Sequence, residues 1–472
     1  MKKTALILLS TLPLLVYADG LPDLGDTSQE TISPQQERQI GRQSMFEIRA
    51  SKSYLSDPEV NDYLNQLGYR LVGNSNEPSQ DFEFFALNEN NVNAFALPGG
   101  FIGVNVGLIL TAQTESELAS VLAHEISHVT QHHLARMIAG QKYDTLASMA
   151  AVAVAILAAR NNPQASQAAM VGAQASIMQR RLDFTRTYEK EADRIGIELL
   201  ERSGFDTRAM PAFFERMQKA NGLLEGNAPS YLRTHPLTSD RIADVENRVQ
   251  QLPYKLVADS LTFRLIRAKL QSIEKSPSSA VAYFTAALGP QKFGDPVAQR
   301  YGLVLSLLRQ RKMERAELEF AMLYHQAPKN PMLETLAGQL LSRKHSIKDV
   351  SAFYKQALQS YPQHRALVYD YADLLLKQQS YTQVIKLLEE RITGTPTDPR
   401  LYELQAQAYA GMDQPQSSHR ALAYSALLQG NLMGSIQHMQ LAKQSGTDFY
   451  QNAAIESELK ELYEMLAVHK KK

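Results

Sequence analysis

The chain contains no cysteine among its 472 residues. That excludes disulfides, thiolate metal ligands, a cysteine nucleophile and acylation as a lipoprotein. It has no excess of charge either, since 49 Lys and Arg balance 49 Asp and Glu. The chain as a whole therefore offers no electrostatic footprint for nucleic acid. Long apolar runs are also missing. Ala5–Val16 and Leu146–Ala159 are both shorter than the roughly 20 residues that a membrane span needs.

What is present begins at the first of these runs. "MKKTALILLSTLPLLVYADG" places Lys2 and Lys3 before the apolar stretch and small Ala18 before Asp19. That is the order of a secretory signal, cleaved near Ala18. A retained anchor is the alternative. The second run, "LASMAAVAVAILAA", reads as a helix packed on its own domain, a wall or lid for a cleft. A peripheral membrane contact is its alternative.

The length predicts two to four domains at roughly 100–200 residues each, and 44% hydrophobic residues suffice for ordinary cores. After a polar N-terminus, Ser33 and Pro34 open one helix, and Val60, Tyr63, Leu64, Leu67 and Leu71 recur at helical spacing in the next. "DFEFFALNENNVNAFALPGGFIGVNVGLI" then alternates, with turn signals at Asn90–Asn91 and Pro98–Gly100. It predicts a hairpin or small sheet. Thr114 and Glu117 stand as a capping box before "TESELASVLAHEISHVTQHHLARM", read as one helix through Met137. Helices continue to about Asn221, followed by a loop and one more helix up to Gln251. This part reads as one α+β domain.

The remainder is helical and repetitive. Pro328, Pro362 and Pro396 are spaced 34 residues apart, the period of the tetratricopeptide repeat. The same period aligns Gly338, Ala372 and Ala406; Phe320, Tyr354 and Leu388; and Ala316, Val350 and Val384. A less regular pair precedes them around Phe263–Leu288, another follows around Ala421–Ser445, and Ala454–Val468 reads as a cap. Such repeats bury their faces only on neighbours, so they predict one solenoid. The expected division is 1–18, 19–255 and 256–472.

The motif that carries chemistry is "HEISH". His124 and His128 are four residues apart and share a helix face, where two imidazoles can hold one zinc ion. Glu125 lies beside them as a candidate general base. A polar exposed face is the bland alternative. Catalytic zinc needs a third protein ligand. On an unbroken helix His132 would sit about 6 Å further along the axis, so His132 and His133 read as surface or supporting groups. "YEKEADRIG" offers Glu189 as the third ligand and Asp193, one turn on, to accept the N–H of a ligating histidine. Glu191 reads as a surface charge on the same helix.

"HEISH" followed by "EKEAD" resembles the M48 metallopeptidases, a gluzincin group. "NAFALPGGFIGVNVGLI" looks like that family's strand–turn before the zinc helix, and "THPLTSDRI" resembles its later element. The resemblance covers nearly the whole chain. It implies an α+β zincin-like metalloprotease domain followed by an all-α tetratricopeptide-repeat solenoid. It implies one zinc ion per chain, held by His124, His128 and Glu189, with Glu125 as base and Asp193 as supporting acid. His235 matches a histidine that can reach the zinc and hold the enzyme latent. Oxyanion stabilisation and plain loop exposure are its alternatives. Arg241 is a candidate oxyanion or carboxylate contact, or a helix N-terminal charge.

The resemblance further implies a periplasmic enzyme of a Gram-negative bacterium. Its partners would be the outer-membrane β-barrel assembly machinery, barrel substrates including the lipopolysaccharide-transport barrel, and unfolded polypeptides. An exposed strand near Phe95–Val106 would pair with an extended peptide. Three functions remain in view: a zinc endopeptidase with a docking solenoid, a chaperone or scaffold that rarely cuts, and an adaptor whose "HEISH" is incidental. The adaptor leaves Glu189, Asp193 and the signature strand unexplained.

Overall fold

The computed structural model describes residues 33–137, 185–223, 230–289 and 294–469. Helix α1 (Pro34–Ala50) opens on a complete capping box: Ser33 accepts from the Gln36 amide, and the Gln36 side chain returns to the Ser33 N–H. Helix α2 (Pro58–Val72) is capped by Asp57, which accepts from the amides of Glu59 and Val60. Its apolar stripe of Val60, Tyr63, Leu64, Leu67 and Leu71 is buried, as helical spacing predicted.

Three strands follow: β1 (Glu83–Leu87), β2 (Ala94–Leu97) and β3 (Phe101–Asn105), in spatial order β1-β3-β2. β3 pairs parallel to β1 and antiparallel to β2, with Leu97 opposite Phe101. The edge strand expected near Phe95–Val106 is β2, which holds Phe95; the expectation is corrected for β3, which is central and buried along its whole length. The turn between them needs glycine. Gly99 and Gly100 have φ of 75° and 86°, and a Cβ on Gly100 would lie 2.2 Å from the Asp81 carbonyl.

Helices α3 (Val106–Thr111) and α4 (Glu115–Thr130) come next. Thr114 Oγ1 accepts from the Glu117 amide, but the Glu117 carboxylate returns to the Gln113 amide at 2.6 Å rather than to Thr114. Half of the predicted box therefore forms. The helix expected to run through Met137 also breaks. Gln131 caps α4, His132 turns left-handed at φ 50°, and a short helical segment restarts over 133–137. A left-handed non-glycine residue costs about 1–3 kcal/mol and persists only where its surroundings hold it. Helix α5 spans 185–202, followed by α6 (Ala209–Leu223), α7 (Ser230–Thr234) and α8 (Ser239–Gln250). Leu146–Ala159 and the N-terminal stretch through Ala18 lie outside the described residues. Among the described helices, none is long and apolar enough to cross a membrane.

The rest stacks as antiparallel helix pairs from α9 (Leu261–Glu274) through α10 (Pro277–Ala287), α11 (Pro296–Arg309) and α12 (Met313–Gln326). It continues with α13 (Pro331–Leu341), α14 (Ile347–Ser360), α15 (Arg365–Lys377) and α16 (Tyr381–Gly394). The solenoid ends with α17 (Pro399–Gly411), α18 (Pro415–Leu428), α19 (Leu432–Ser445) and the long cap α20 (Phe449–His469). The positions aligned by the 34-residue period are the packing positions. Ala316, Val350 and Val384 are buried, and Tyr354 sits so tightly on Gly338 that a Cβ there would lie 2.5 Å from its ring.

The solenoid and the sheet-bearing part share one core. Phe263 on α9 packs on Tyr63 of α2 with ring centroids 6.2 Å apart, and a single apolar cluster runs from α2 and the sheet into α13. Beside this seam lies an ionic clasp. Lys269 reaches Asp57 at 2.6 Å and Glu59 at 2.7 Å, His364 reaches Glu59 at 3.2 Å, and Arg365 reaches Asp62 at 2.7 Å. A second contact forms at the far end, where Gly430 lies against the backbone of α1 at Phe46.

Candidate metal centre

Helix α4 is buried along most of its length, which carries His124 and Glu125 into the interior with 0% and 1% exposure. Helix α5 crosses it and supplies Glu189 and Asp193 one turn apart, both buried. His235 follows α7, and Arg241 sits in the first turn of α8, which Thr238 caps. His124, His128, Glu189 and His235 each present one donor atom, and these atoms lie within 4.8 Å of one another.

Several of the separations are close to those a tetrahedral ion requires. Bonds of about 2.0–2.2 Å space the donors about 3.3–3.6 Å apart. His124 Nε2 is 3.0 Å from His128 Nε2 and 3.3 Å from His235 Nδ1. Glu189 carboxylate oxygens lie 3.4 Å from His124 Nε2, 3.4 Å from His128 Nε2 and 3.0 Å from His235 Nδ1. Three imidazole nitrogens and a carboxylate converge on one buried point and bring more lone pairs there than the proton of His124 can satisfy. A cation between them resolves this, so the donor set fits a metal.

The surroundings set charge and orientation. His124 Nδ1 faces Asp193 Oδ1 at 3.0 Å, which leaves Nε2 for the metal. Arg241 places Nε and Nη2 on the two Asp193 oxygens, both at 2.8 Å, and Nη1 2.8 Å from Glu189 Oε2 and from the Pro236 carbonyl. One buried guanidinium thus bridges the candidate ligand carboxylate and the supporting carboxylate. Burial opposes charge on Glu189 and Asp193, yet hydrogen bonds from the histidines and Arg241 hold both below the usual carboxylate range. Burial also opposes charge on His124, but Asp193 and Glu189 override it and push it up to about 10. In metal-free protein His124 therefore carries a proton, which a metal must displace. Burial lowers His128, the first effect on it.

Each residue singled out in the sequence can now be located. Glu125 adjoins the cluster, with Oε1 3.3 Å from His235 Nε2. Arg241 is a carboxylate contact and is buried, so the oxyanion reading of it is corrected. His132 lies outside the cluster, near Glu37 and Glu77 at 3.9 and 3.7 Å. His133 is buried and approaches His128 Nδ1 at 2.8 Å, and Glu191 receives it at 3.2 Å. Glu191 is thus engaged on the site side of α5, which corrects its reading as a surface charge. Tyr231, not singled out in the sequence, stacks on His235 with centroids 4.9 Å apart and is fully buried. Its position four residues before His235, the spacing of one helical turn, was the available signal.

A cleft of about 300 Å³ opens onto the cluster. The β2 residues Phe95 and Leu97 form one wall and Leu134 and Met137 another, with Glu125 and His128 at the floor. An extended chain lying along β2 would therefore pass over the donors.

Comparison with known proteins agrees with this geometry. The model for peptidase family M48 matches residues 58–249, and a tetratricopeptide-repeat model matches residues 347–408. A putative β-barrel assembly-enhancing protease of Vibrio cholerae is 35% identical over 438 residues, covering 92% of this chain and 90% of its own. The β-barrel assembly-enhancing protease of Escherichia coli K12 is 33% identical over 420 residues, covering 88% and 85%. A mitochondrial metalloendopeptidase of Schizosaccharomyces pombe is 30% identical over 193 residues, covering 41% of this chain and 54% of its own.

Proposed function

The chain belongs to peptidase family M48 and is a metalloendopeptidase, and on that premise we propose that it is a latent periplasmic zinc enzyme of outer-membrane β-barrel quality control. It promotes barrel assembly and degrades barrels that stall or misassemble. A signal peptide ending near Ala18 directs export, residues 19–255 form the metalloprotease domain, and residues 256–472 form the docking solenoid.

The observation that carries this reading is the convergence of four donors beside Glu125. His124, His128 and Glu189 would hold the zinc ion, which would supply Lewis acidity toward a peptide carbonyl. Glu125 takes the proton of the attacking water and passes it to the leaving amine. Asp193 orients His124, and Arg241 keeps Asp193 and Glu189 ionised. The β2 edge offers main-chain hydrogen bonds to an extended substrate, which gives affinity with little sequence preference. That suits unfolded polypeptides and unpaired barrel strands.

His235 accounts for latency. Its Nδ1 lies among the other donors, where it would take a fourth ligand place on a bound ion, and its Nε2 lies 3.3 Å from Glu125, so one side chain would obstruct both the metal and the base. The same observation favours a second reading, in which the closed protein acts mainly as a non-proteolytic chaperone or scaffold. Relatives named β-barrel assembly-enhancing proteases support a role in barrel assembly; the partners of the solenoid in this reading are the assembly machinery and its barrels, including the lipopolysaccharide-transport barrel.

The deciding experiment compares wild type with Glu125→Gln, after zinc content has been measured in both. A misassembled outer-membrane barrel is degraded by wild type and persists with the variant. Equal degradation by the two would sink the peptidase reading, and wild type lacking stoichiometric zinc would sink the metal assignment.

A further inference from the structure

The two helix-borne imidazoles of the site are supported differently. His124 turns its second nitrogen to a carboxylate, the common arrangement for a metal-binding histidine. His128 turns its second nitrogen to another imidazole, with Nδ1 2.8 Å from Nδ1 of His133. His133 is itself held on two further sides. Its Nε2 lies 3.2 Å from Glu191 Oε2, and its ring stacks on Tyr188 with centroids 4.6 Å apart and an interplanar angle of 20°. Arg136 completes the enclosure, reaching Glu191 Oε2 at 3.1 Å and covering the outer region of Tyr188 at 4.8 Å from its centroid.

Regular helix geometry forbids this pair. Five residues of an α-helix turn through about 500°, which leaves the two side chains about 140° apart and out of reach. The contact exists because α4 ends at Thr130 and His132 takes φ 50°, after which the chain re-enters a helical segment pointing His133 back at His128. The break in the helix and the buried contact are one feature.

Counting protons assigns the direction of each hydrogen bond. With His128 Nε2 committed to the metal, its proton lies on Nδ1 and is donated to His133 Nδ1. His133 must then carry its own proton on Nε2, which it donates to Glu191. The Glu191 carboxylate has no proton to give and so enforces that tautomer.

We propose that His133, clamped by Glu191 and Tyr188, is a positioning residue that accepts the Nδ1–H of His128 and thereby fixes the tautomer and orientation of that ligand. This rests on the zinc site proposed above. The chain from Glu191 through His133 to His128 supplies from α5 and the helix break what Asp193 supplies directly to His124.

The test is zinc affinity, measured on full-length mature protein by competition with a chromogenic chelator. His133→Phe keeps ring volume and removes the acceptor, and zinc binding is expected to weaken about 10–100-fold. His133→Asn returns an oxygen acceptor near the position of Nδ1, and affinity is expected to recover to within about threefold of wild type. Unchanged affinity in His133→Phe, or equal loss in both variants, overturns the proposal. The tautomer provides a check that needs no substitution. In wild-type zinc protein carrying ¹⁵N-histidine, long-range ¹H–¹⁵N correlation is expected to show His133 protonated at Nε2 alone, and a proton on Nδ1 overturns the proposal even if the Phe variant does not fold. Wild-type protein that binds no zinc overturns the site itself, whereas zinc-binding wild type with an unaffected Phe variant overturns only the role of His133.

Discussion

His235 Nδ1 lies 3.3 Å from His124 Nε2, the spacing of two donors on one tetrahedral ion. It comes from a loop residue, whereas the other three donors come from long helices. The donor set is therefore completed by a loop residue, held through Tyr231 stacking and the bond from Arg241 to the Pro236 carbonyl. His235→Ala is expected to retain zinc on the remaining three ligands and to raise cleavage of an unfolded substrate such as casein. A rise of about tenfold corresponds to a closed state favoured by ~1.4 kcal/mol. A fall in turnover would instead assign His235 to transition-state stabilisation.

Arg241 serves two carboxylates at once. Arg241→Met leaves Asp193 and Glu189 buried without their cation, and removing one partner of a buried ion pair typically costs about 3–5 kcal/mol. Urea denaturation of the zinc-loaded protein is expected to show a loss of that order. Arg241→Lys recovers only part of it, because an ammonium cannot reproduce the bidentate fork on Asp193. Full recovery by lysine would refute the geometric role.

Metal uptake should depend on pH with a definite sign. His124 in metal-free protein is pushed up to about 10, well above its unfolded value. Its proton therefore stabilises the metal-free fold fully below the unfolded value, and that contribution is lost as pH rises through about 10. Metal and proton compete for His124, so zinc affinity is expected to rise about tenfold per pH unit across pH 7–9 and to flatten only as pH passes about 10. Chelator competition over that range measures the slope. A flat profile would mean that His124 is already neutral in the metal-free protein.

The clasp between α2 and the solenoid titrates in acid. Burial pushes the Glu59 carboxyl up, but Lys269 and His364 override it and hold it at about 2, below its unfolded value. Its contribution is therefore present above the unfolded carboxyl range and lost as pH falls toward about 2. Glu59→Gln is expected to cost about 1–3 kcal/mol at neutral pH, as hydrogen bonds to a charged group are lost. The difference between variant and wild type should shrink on acidification below pH 4. Urea midpoints of both proteins across pH 2.5–7 test this, and a constant difference would count against the clasp.

Much of this was readable one residue at a time. Capping by Ser33 and Thr114 and the buried stripe of α2 follow from local chemistry that the surrounding fold does not oppose. The 34-residue spacing gave the packing positions of the solenoid because each repeat meets its neighbour in the same way. The spacings of His124 with His128 and of Glu189 with Asp193 each define one helix face. What was hidden depends on exceptions to regular geometry or on distant partners. Nothing about a histidine announces that His132 will turn left-handed, so the meeting of His133 with His128 was invisible. Arg241 read as an oxyanion or carboxylate contact, but which carboxylates it meets was hidden because Glu189 and Asp193 sit on another helix. That the edge near Phe95–Val106 is β2 and not β3 was hidden because β3 pairs with β1 in parallel across an intervening strand.

Because Phe263 of the first solenoid helix completes the packing around Tyr63, the seam between the two parts offers no clean place to cut. A truncation after the last helix of the peptidase part would uncover an apolar seam and strand Asp57, Glu59 and Asp62 without their counter-charges. The solenoid is thus a buttress of the peptidase part. A load that bends the array would bear directly on α2, which packs on β1 and on α4, the helix that carries His124 and His128.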